Sequence, residues 1–550
     1  MKTRLKLFIH VVLLTAMLTP NIVLSQHYLL SGQEIIIRQL NGTGTDWRIS
    51  PDLNPDRLEI YFNNNQETQE IRFITDVDSI TFQLHNRDTI RFVVILNQTD
   101  TAFTEIVGVH DLPNKMTDDQ KIYTLSLFWS EAKYNFANYD LLGFSWDSLY
   151  QATIPKALNT KNDYEFSRLL SSFAARLNDG HSQFLNTGKF SIYCDYAPLS
   201  LVSVEENIYI KSYRETLKNQ LELGAKIVKI EGKHTKQYME EEVLPYISAS
   251  TEANKWMIGT SSFPYGLKSQ PLTLTFRNSM GEDKTVQIER NGESTRYDNE
   301  GREKYQFMGA KPKYTDNLDL TFTDDSIALL TVTRFYPEEE TIEQIEQIMP
   351  QLLKANGLVV DIRYNGGGST RVAYSLIQRI IKQNYFLGLA GETRKSDAVY
   401  KAMGFGYDEY KPYYENNVFR QEEADTIRIE DTIKRIQCPV VILIGEYTFS
   451  AAEDFLIMLY EIQDRPQLIG VPTGGSTGAP LMVEDLSGDI IARICTRRCK
   501  FPYSGKPFII FGIQPDITLY PTITQILNNQ DVVMDKGIEV VRAKLASNGD

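Results

Sequence analysis

The chain is poor in histidine and cysteine, with six and four of them in 550 residues. A protein of this length can bury a large core without staples, so four cysteines do not make a disulfide scaffold. Cys194 and Cys438 read as small buried hydrophobes. Cys495 and Cys499 flank Thr-Arg-Arg. One strand could not join them but a tight turn could, which leaves a bridged and an unbridged state both open. No second Cys or His pair keeps the spacing of a zinc site.

Basic residues are in deficit, 57 against 71 acidic, for a net charge of -14. This argues against a nucleic-acid binder, which collects counterion-release energy on a broad cationic face. The one small cluster, Arg497, Arg498 and Lys500, reads as a solvated strand end or loop. Long hydrophobic runs are missing as well, and none reaches the ~20 residues of a membrane span. The apolar run 7–18 is shorter. It follows Lys2, Arg4 and Lys6 and precedes Pro20 and a small-residue site at Val23, Leu24 and Ser25. That pattern predicts a signal peptide over 1–25, cut after Ser25, and a periplasmic or secreted mature chain. Gln26 stands where a lipoprotein anchor would need cysteine.

What is present is an ordinary folding composition, 42% apolar and 11% aromatic, long enough for several domains. Period-two alternation at 57–62, 80–84 and 89–95 predicts a sandwich-like, β-rich accessory domain over 26–110. Between Thr117 and Asn178 the spacing becomes helical, with Ile122, Leu125, Phe128, Trp129, Ala132 and Tyr134 towards one face, which predicts a helical module over 111–191. Strands return over 192–292, at 208–210, 226–230 and 272–276, around one short helix at 235–243. From Ser326, strands at 327–332, 357–362, 439–444 and 467–471 alternate with helices at 340–354, 371–383 and 451–462. Such alternation predicts an α/β core with mostly parallel strands over 293–530. A tail helix is expected within 531–550. The fold class is therefore α/β multidomain.

Three sites could carry chemistry. Ser450 stands just after a strand and immediately before a helix, where free N–H groups and the positive dipole end favour an oxyanion. A lone serine in that place is most often only a helix N-cap. The second site is the end of a buried strand in three glycines, Gly366 to Gly368. Glycine lets backbone N–H groups approach a ligand, although a plain tight turn has the same composition. No Walker or dinucleotide glycine pattern is present. The third is His181, which sits in a turn between a helix and a strand, as general bases often do. A lone loop histidine is more commonly structural.

Taken together, Asp179-Gly-His181, the 357–368 segment, Phe449-Ser-Ala-Ala-Glu453, the 470–475 segment and Gly512-Ile-Gln-Pro-Asp-Ile517 resemble, in that order, the S41 serine peptidases. That family includes C-terminal processing peptidases, the tricorn core and the interphotoreceptor retinoid-binding modules. The resemblance spans about 115–525. It implies a ClpP/crotonase-like ββα core, and at 222–233 it is similar to a PDZ-type segment, which would make the β insert PDZ-like.

The resemblance also implies roles. Ser450 would be the nucleophile. Processing peptidases activate the serine with a lysine in Thr-x-Gly-Lys-Gly, where this chain has Thr473-Gly-Gly-Ser-Thr-Gly478, with Ser476 in the lysine's place. The tricorn-like branch instead uses a histidine, here His181. The oxyanion hole would come from Gly367 or Gly368 together with Ala451. Tricorn-type sites place a serine just before the histidine, where this chain has Gly180. They orient it with a glutamate where this chain has Ile509-Ile-Phe511. Glu453, one turn from Ser450, is a candidate orienting acid, and Asp516 is expected to fix the turn after Pro515.

No metal or cofactor is implied, and the partner would be a polypeptide. The alternative is a catalytically silent S41-fold module that binds peptides or hydrophobic ligands. A crotonase-like acyl-CoA enzyme is a third reading, which an export signal opposes because CoA is cytoplasmic.

Overall fold

The computed structural model describes residues 114–547 apart from 186–189, 191–192, 293–306, 310–316, 485, 488–489 and 509–510, together with residue 112 and the backbone of strands between 27 and 107. The expected signal peptide, 1–25, lies outside the described residues. The alternating stretches near the N-terminus do form strands. Arg57–Asn64 and Thr89–Leu96 pair in one antiparallel four-stranded sheet, and Ser79–Phe82 belongs to another.

Helices Asp118–Asn135, Trp146–Leu158 and Asp163–Ala175 make up the helical module. Each begins where a side chain satisfies a free N–H: Thr117 in a capping box with Gln120, then Ser145, then Asn162. Leu125, Phe128, Ala132, Trp146, Phe166 and Phe173 bury against one another. Tyr134, assigned to the same face by spacing, is exposed.

The next unit is an antiparallel sheet with Leu199–Val204 at its edge, followed by Asn207–Arg214, Lys226–Ile230, Leu272–Arg277 and Asp283–Ile288. Phe307–Gly309, past the expected boundary at 292, pairs with Asn207–Arg214. The expectation of one helix here needs correction. A second, Glu252–Ser262, packs against the edge strand. Its buried residues include Asn254, Gly259 and Thr260, so it presents no clean apolar stripe to read.

The core is a six-stranded sheet in the order Leu318–Phe322, Ile327–Val332, Gly357–Asp361, Val440–Ile444, Gln467–Gly470 and Ile517–Thr518. Only the first pair is antiparallel. Alternation along the buried strands splits the core into two layers. Leu358, Val360, Ile442 and Ile444 meet helices Glu338–Leu352, Thr370–Ile380 and Ala451–Tyr460 on one face, whereas Val359, Val441 and Leu443 meet Val532–Ser547 on the other. The strand ends at Asp361 and Ile444 deliver the glycine strap and the Ser450 turn to the same edge of the sheet.

Arg497, Arg498 and Lys500 are not a solvated end. They lie in the strand Arg497–Lys500, which pairs with Ala390–Arg394. Arg498 is buried and ion-paired to Glu392 and Asp140, and Lys500 also pairs with Glu392. All four cysteines are unpaired in this structure. Cys438 is only half-buried.

Candidate active site

Ser450 is the residue before helix Ala451–Tyr460, and its backbone is in the left-handed region, φ 56° and ψ -128°. A non-glycine residue is held there only when its surroundings force it. Three neighbours do so: the Ser450 N–H donates to the Ser476 carbonyl at 3.0 Å, the Phe449 N–H donates to the Asn365 carbonyl at 3.0 Å, and Glu453 N–H bonds back to the Ser450 carbonyl at 2.7 Å. The hydroxyl makes no capping bond. It meets His181 Nε2 at 3.1 Å instead, so the N-cap reading of Ser450 does not apply.

The glycine strap lies directly over this turn. A Cβ on Gly367 would stand 2.6 Å from the Ser450 Cβ and 2.9 Å from the Ala451 nitrogen, so any side chain there would fill the space in front of the helix's first N–H. The strap is fixed by Phe335, whose N–H donates to the Gly367 carbonyl at 2.7 Å and whose carbonyl accepts from Ser369 N–H at 2.8 Å. Gly367 N–H itself is taken by Asn365 Oδ1 at 2.9 Å. Ala451 N–H has no acceptor among the described residues and Gly368 is exposed, which leaves those two expected donors open to the cleft.

His181 comes from the loop between helix Asp163–Ala175 and strand Gln183–Leu185, where Asn178 at φ 48° turns the chain. Several ties replace regular structure. Asp179 Oδ1 accepts from His181 N–H at 3.0 Å and from the Ser182 hydroxyl at 2.7 Å. Gly180 N–H donates to Ser250 Oγ at 3.2 Å, and its carbonyl accepts from Arg493 at 3.1 Å. Phe449 stacks on the imidazole with ring centroids 4.7 Å apart.

The second imidazole nitrogen was unassigned from the sequence. His181 Nδ1 lies 2.7 Å from Ser476 Oγ. Glu453, the candidate orienting acid, does not reach the ring. Its carboxylate accepts from the Thr473 hydroxyl at 2.5 Å and from the N–H groups of Gly475 and Ser476 at 2.7 and 2.8 Å, and so holds the loop that presents Ser476. A Cβ on Gly180 would stand 2.8 Å from the Phe449 ring and 3.2 Å from the Ser476 Cβ. Residue 180 has no room for a serine, and the hydroxyl beside the histidine arrives from residue 476 instead. The available signal was that Ser476 occupies the family's lysine position. Asp516 pairs with Arg465 and accepts from Leu468 N–H, away from this cluster.

Burial dominates the electrostatics. It pushes the His181 imidazole down to about 3, helped by the nearby Arg493 charge, so the ring is neutral at ordinary pH. Burial raises Glu453 to about 8 against the pull of its three hydrogen bonds. A cavity of about 260 Å³ opens beside the pair, lined by Gly180, Gly366, Phe449, Asn254, Met257 and Glu446 among others. Among the described residues, no group of three or more His, Cys, Asp or Glu is placed to hold a metal, and no helix is long and apolar enough to cross a membrane.

A serine forced into strained backbone at a helix start, in contact with a neutral imidazole and beside N–H groups without acceptors among the described residues, is the set of groups that acyl transfer requires. Residues 326–519 match the model of peptidase family S41, and the chain accordingly carries an S41 serine-peptidase domain. Solved structures agree at the level of fold. Mature CPAF superposes with a TM-score of 0.57 at 13% identity, covering 78% of this chain and 98% of that one. Its complex with lactacystin gives 0.56 at 13% identity, covering 78% and 99%. A CPAF mutant gives 0.55 at 14% identity, covering 77% and 98%. No curated protein is similar in sequence.

Proposed function

We propose that the chain is an exported endopeptidase that cleaves unstructured polypeptide segments through an acyl-enzyme on Ser450, with His181 as the base. The observation that carries this reading is the contact of one imidazole with two hydroxyls, Nε2 to Ser450 at 3.1 Å and Nδ1 to Ser476 at 2.7 Å. With its proton on Nδ1, donated to Ser476 Oγ, the ring presents a bare Nε2 to the Ser450 hydroxyl.

As Ser450 Oγ bonds to the peptide carbonyl carbon, its proton moves to Nε2, and the carbonyl electrons become an oxyanion facing the Ala451 and Gly368 N–H groups. Collapse breaks the C–N bond, and the imidazolium hands its proton to the leaving amine. Water then repeats the cycle on the ester, with His181 again taking the proton. Ser476 is a positioning residue that fixes the tautomer and the ring angle. The insert acts as a PDZ-like holder, taking the substrate as an added strand on the edge Leu199–Val204 beside helix Glu252–Ser262.

The test uses the mature chain, residues 26–550, with denatured casein and a fluorophosphonate probe. Wild type should cut and label, and Ser450→Ala and His181→Ala should do neither. Cleavage surviving in His181→Ala would move the base elsewhere. An unlabelled, inactive wild type would favour the silent binding module.

A further inference from the structure

Glu446, four residues before Ser450, is an acid that the mechanism leaves idle. It lines both the cavity next to the catalytic pair and a larger cleft of about 580 Å³ that continues to the edge strand Leu199–Val204. Its carboxylate takes part in no hydrogen bond or ion pair among the described residues, and only its backbone carbonyl is used, accepting from Asn254 at 3.0 Å. Burial alone lifts this carboxyl, to about 7.

Two of the three cations that share these cavities are committed elsewhere. Arg363 is clamped between Asp361 and Asp531, and Arg493 donates to the Gly180 carbonyl with Asp179 nearby. The third, Lys211, also lines the larger cleft, and burial alone holds its ammonium down. A buried carboxylate without a counter-charge is costly, and the cost is recovered when a cation arrives. The approach to it suits a long side chain with a charged head. Met257, Ile258 and Phe449 offer apolar wall in the smaller cavity, and Tyr447 and Tyr364, with ring centroids 5.7 Å apart, offer aromatic faces in the larger cleft.

We propose that Glu446 receives the ammonium or guanidinium group of a substrate lysine or arginine, seated in the cleft beside Ser450, so that cleavage is directed to basic residues. This rests on the peptidase reading above. The carboxylate would replace the cation's water shell with a charge-assisted hydrogen bond, while Met257 and Phe449 cover the stem.

Two measurements keep the two readings apart. Binding is measured first, on Ser450→Ala protein, with alanine- and serine-based octapeptides that carry a single lysine or a single norleucine at matched positions. At one position the lysine peptide should bind at least tenfold more tightly, and the difference should vanish in Ser450→Ala with Glu446→Gln and be partly kept with Glu446→Asp. Equal affinities at every position, or a preference that survives Glu446→Gln, would overturn the proposal whether or not the protein cuts peptides. Cleavage is measured second, as the ratio of kcat/KM for the best lysine peptide over its norleucine twin. That ratio should fall at least tenfold in Glu446→Gln and drop below one in Glu446→Lys. If lysine peptides bind selectively and nothing is cleaved, the peptidase reading fails and the cation site stands. A thermal unfolding midpoint within a few degrees of wild type shows that the variants are folded.

Discussion

Ser450 and His181 meet at 3.1 Å, but the chain holds them in opposite ways. Ser450 stands at the head of a helix buried at every position from Ala451 to Leu459. Its strain is borne by regular structure, because the strands ending at Asp361 and Ile444 feed the strap and the turn. His181 sits in an irregular loop, buried yet outside any sheet or helix; it is fixed by single hydrogen bonds to Asp179 and Ser476, and the preceding Gly180 by its bonds to Ser250 and Arg493. One half of the site depends on packing and the other on a few polar contacts. The two should therefore fail differently when broken.

The sharpest break is on the packed half. A Cβ on Gly368 would fall 2.3 Å from the Phe335 carbonyl oxygen, at a φ of +138° that side chains rarely adopt. Gly368→Ala should cost roughly 2–4 kcal/mol of stability and lower kcat/KM by at least 100-fold, measured by denaturant unfolding and peptide hydrolysis. A variant with wild-type stability would mean that the strap is looser than its contacts with Phe335 imply.

On the polar half, Asp179→Ala leaves the His181 N–H and the Ser182 hydroxyl without their acceptor. A loss of about 1–3 kcal/mol is expected, with a larger fall in kcat than in stability, because the loop loosens while the core does not. Hydrogen exchange should then rise in 178–182 and stay unchanged in helix Ala451–Tyr460.

Ser476→Ala should lower kcat about 10- to 100-fold with KM unchanged, less than the ~10⁴ lost when the tautomer of a triad histidine is wrong. Stability should barely move, and Ser476→Thr should recover part of the rate. A shift of the imidazole tautomer, read by nitrogen NMR, separates positioning from mere packing.

The smallest effect is electrostatic. With His181 as the proposed base, activity should be lost as pH falls through the imidazole pKa, which burial and Arg493 hold near 3. Removing the Arg493 charge makes the imidazolium easier to form, so Arg493→Gln should move the acid limb of kcat/KM upward by about half to one pH unit. Arg493→Lys should leave the limb where it is.

The same contrast explains what could be read from the sequence. Strand and helix alternation across the core, and with it the placement of Ser450 and the glycine strap, follows from local apolar pattern. The five ordered motifs then tied His181 to Ser450 across 269 residues. The partner of Nδ1 does not follow from such a pattern, because Ser476 reaches the ring from a loop whose path is set by Glu453 through the Thr473 hydroxyl and two backbone N–H groups, contacts that leave no periodic trace in the sequence. Glu453 has the right distance along the helix to reach the ring, but it acts on the loop instead. Helix Glu252–Ser262 leaves no apolar stripe in the sequence because it buries polar and small residues, and the burial of the Arg498 cluster has no local signal because its acids, Asp140 and Glu392, are far away in the chain.

Phe449 has a consequence for inheritance. Its ring covers His181 and lies where a Cβ on Gly180 or on Gly474 would have to go, 2.8 Å away in each case. None of the three positions can drift alone. A lineage that shrinks residue 449 frees space for a side chain before the histidine, and one that puts a serine there must first give up the ring. Glycine at 180 and 474 should thus travel with an aromatic at 449, and the serine beside the histidine should come from position 476 or from 180 but not from both.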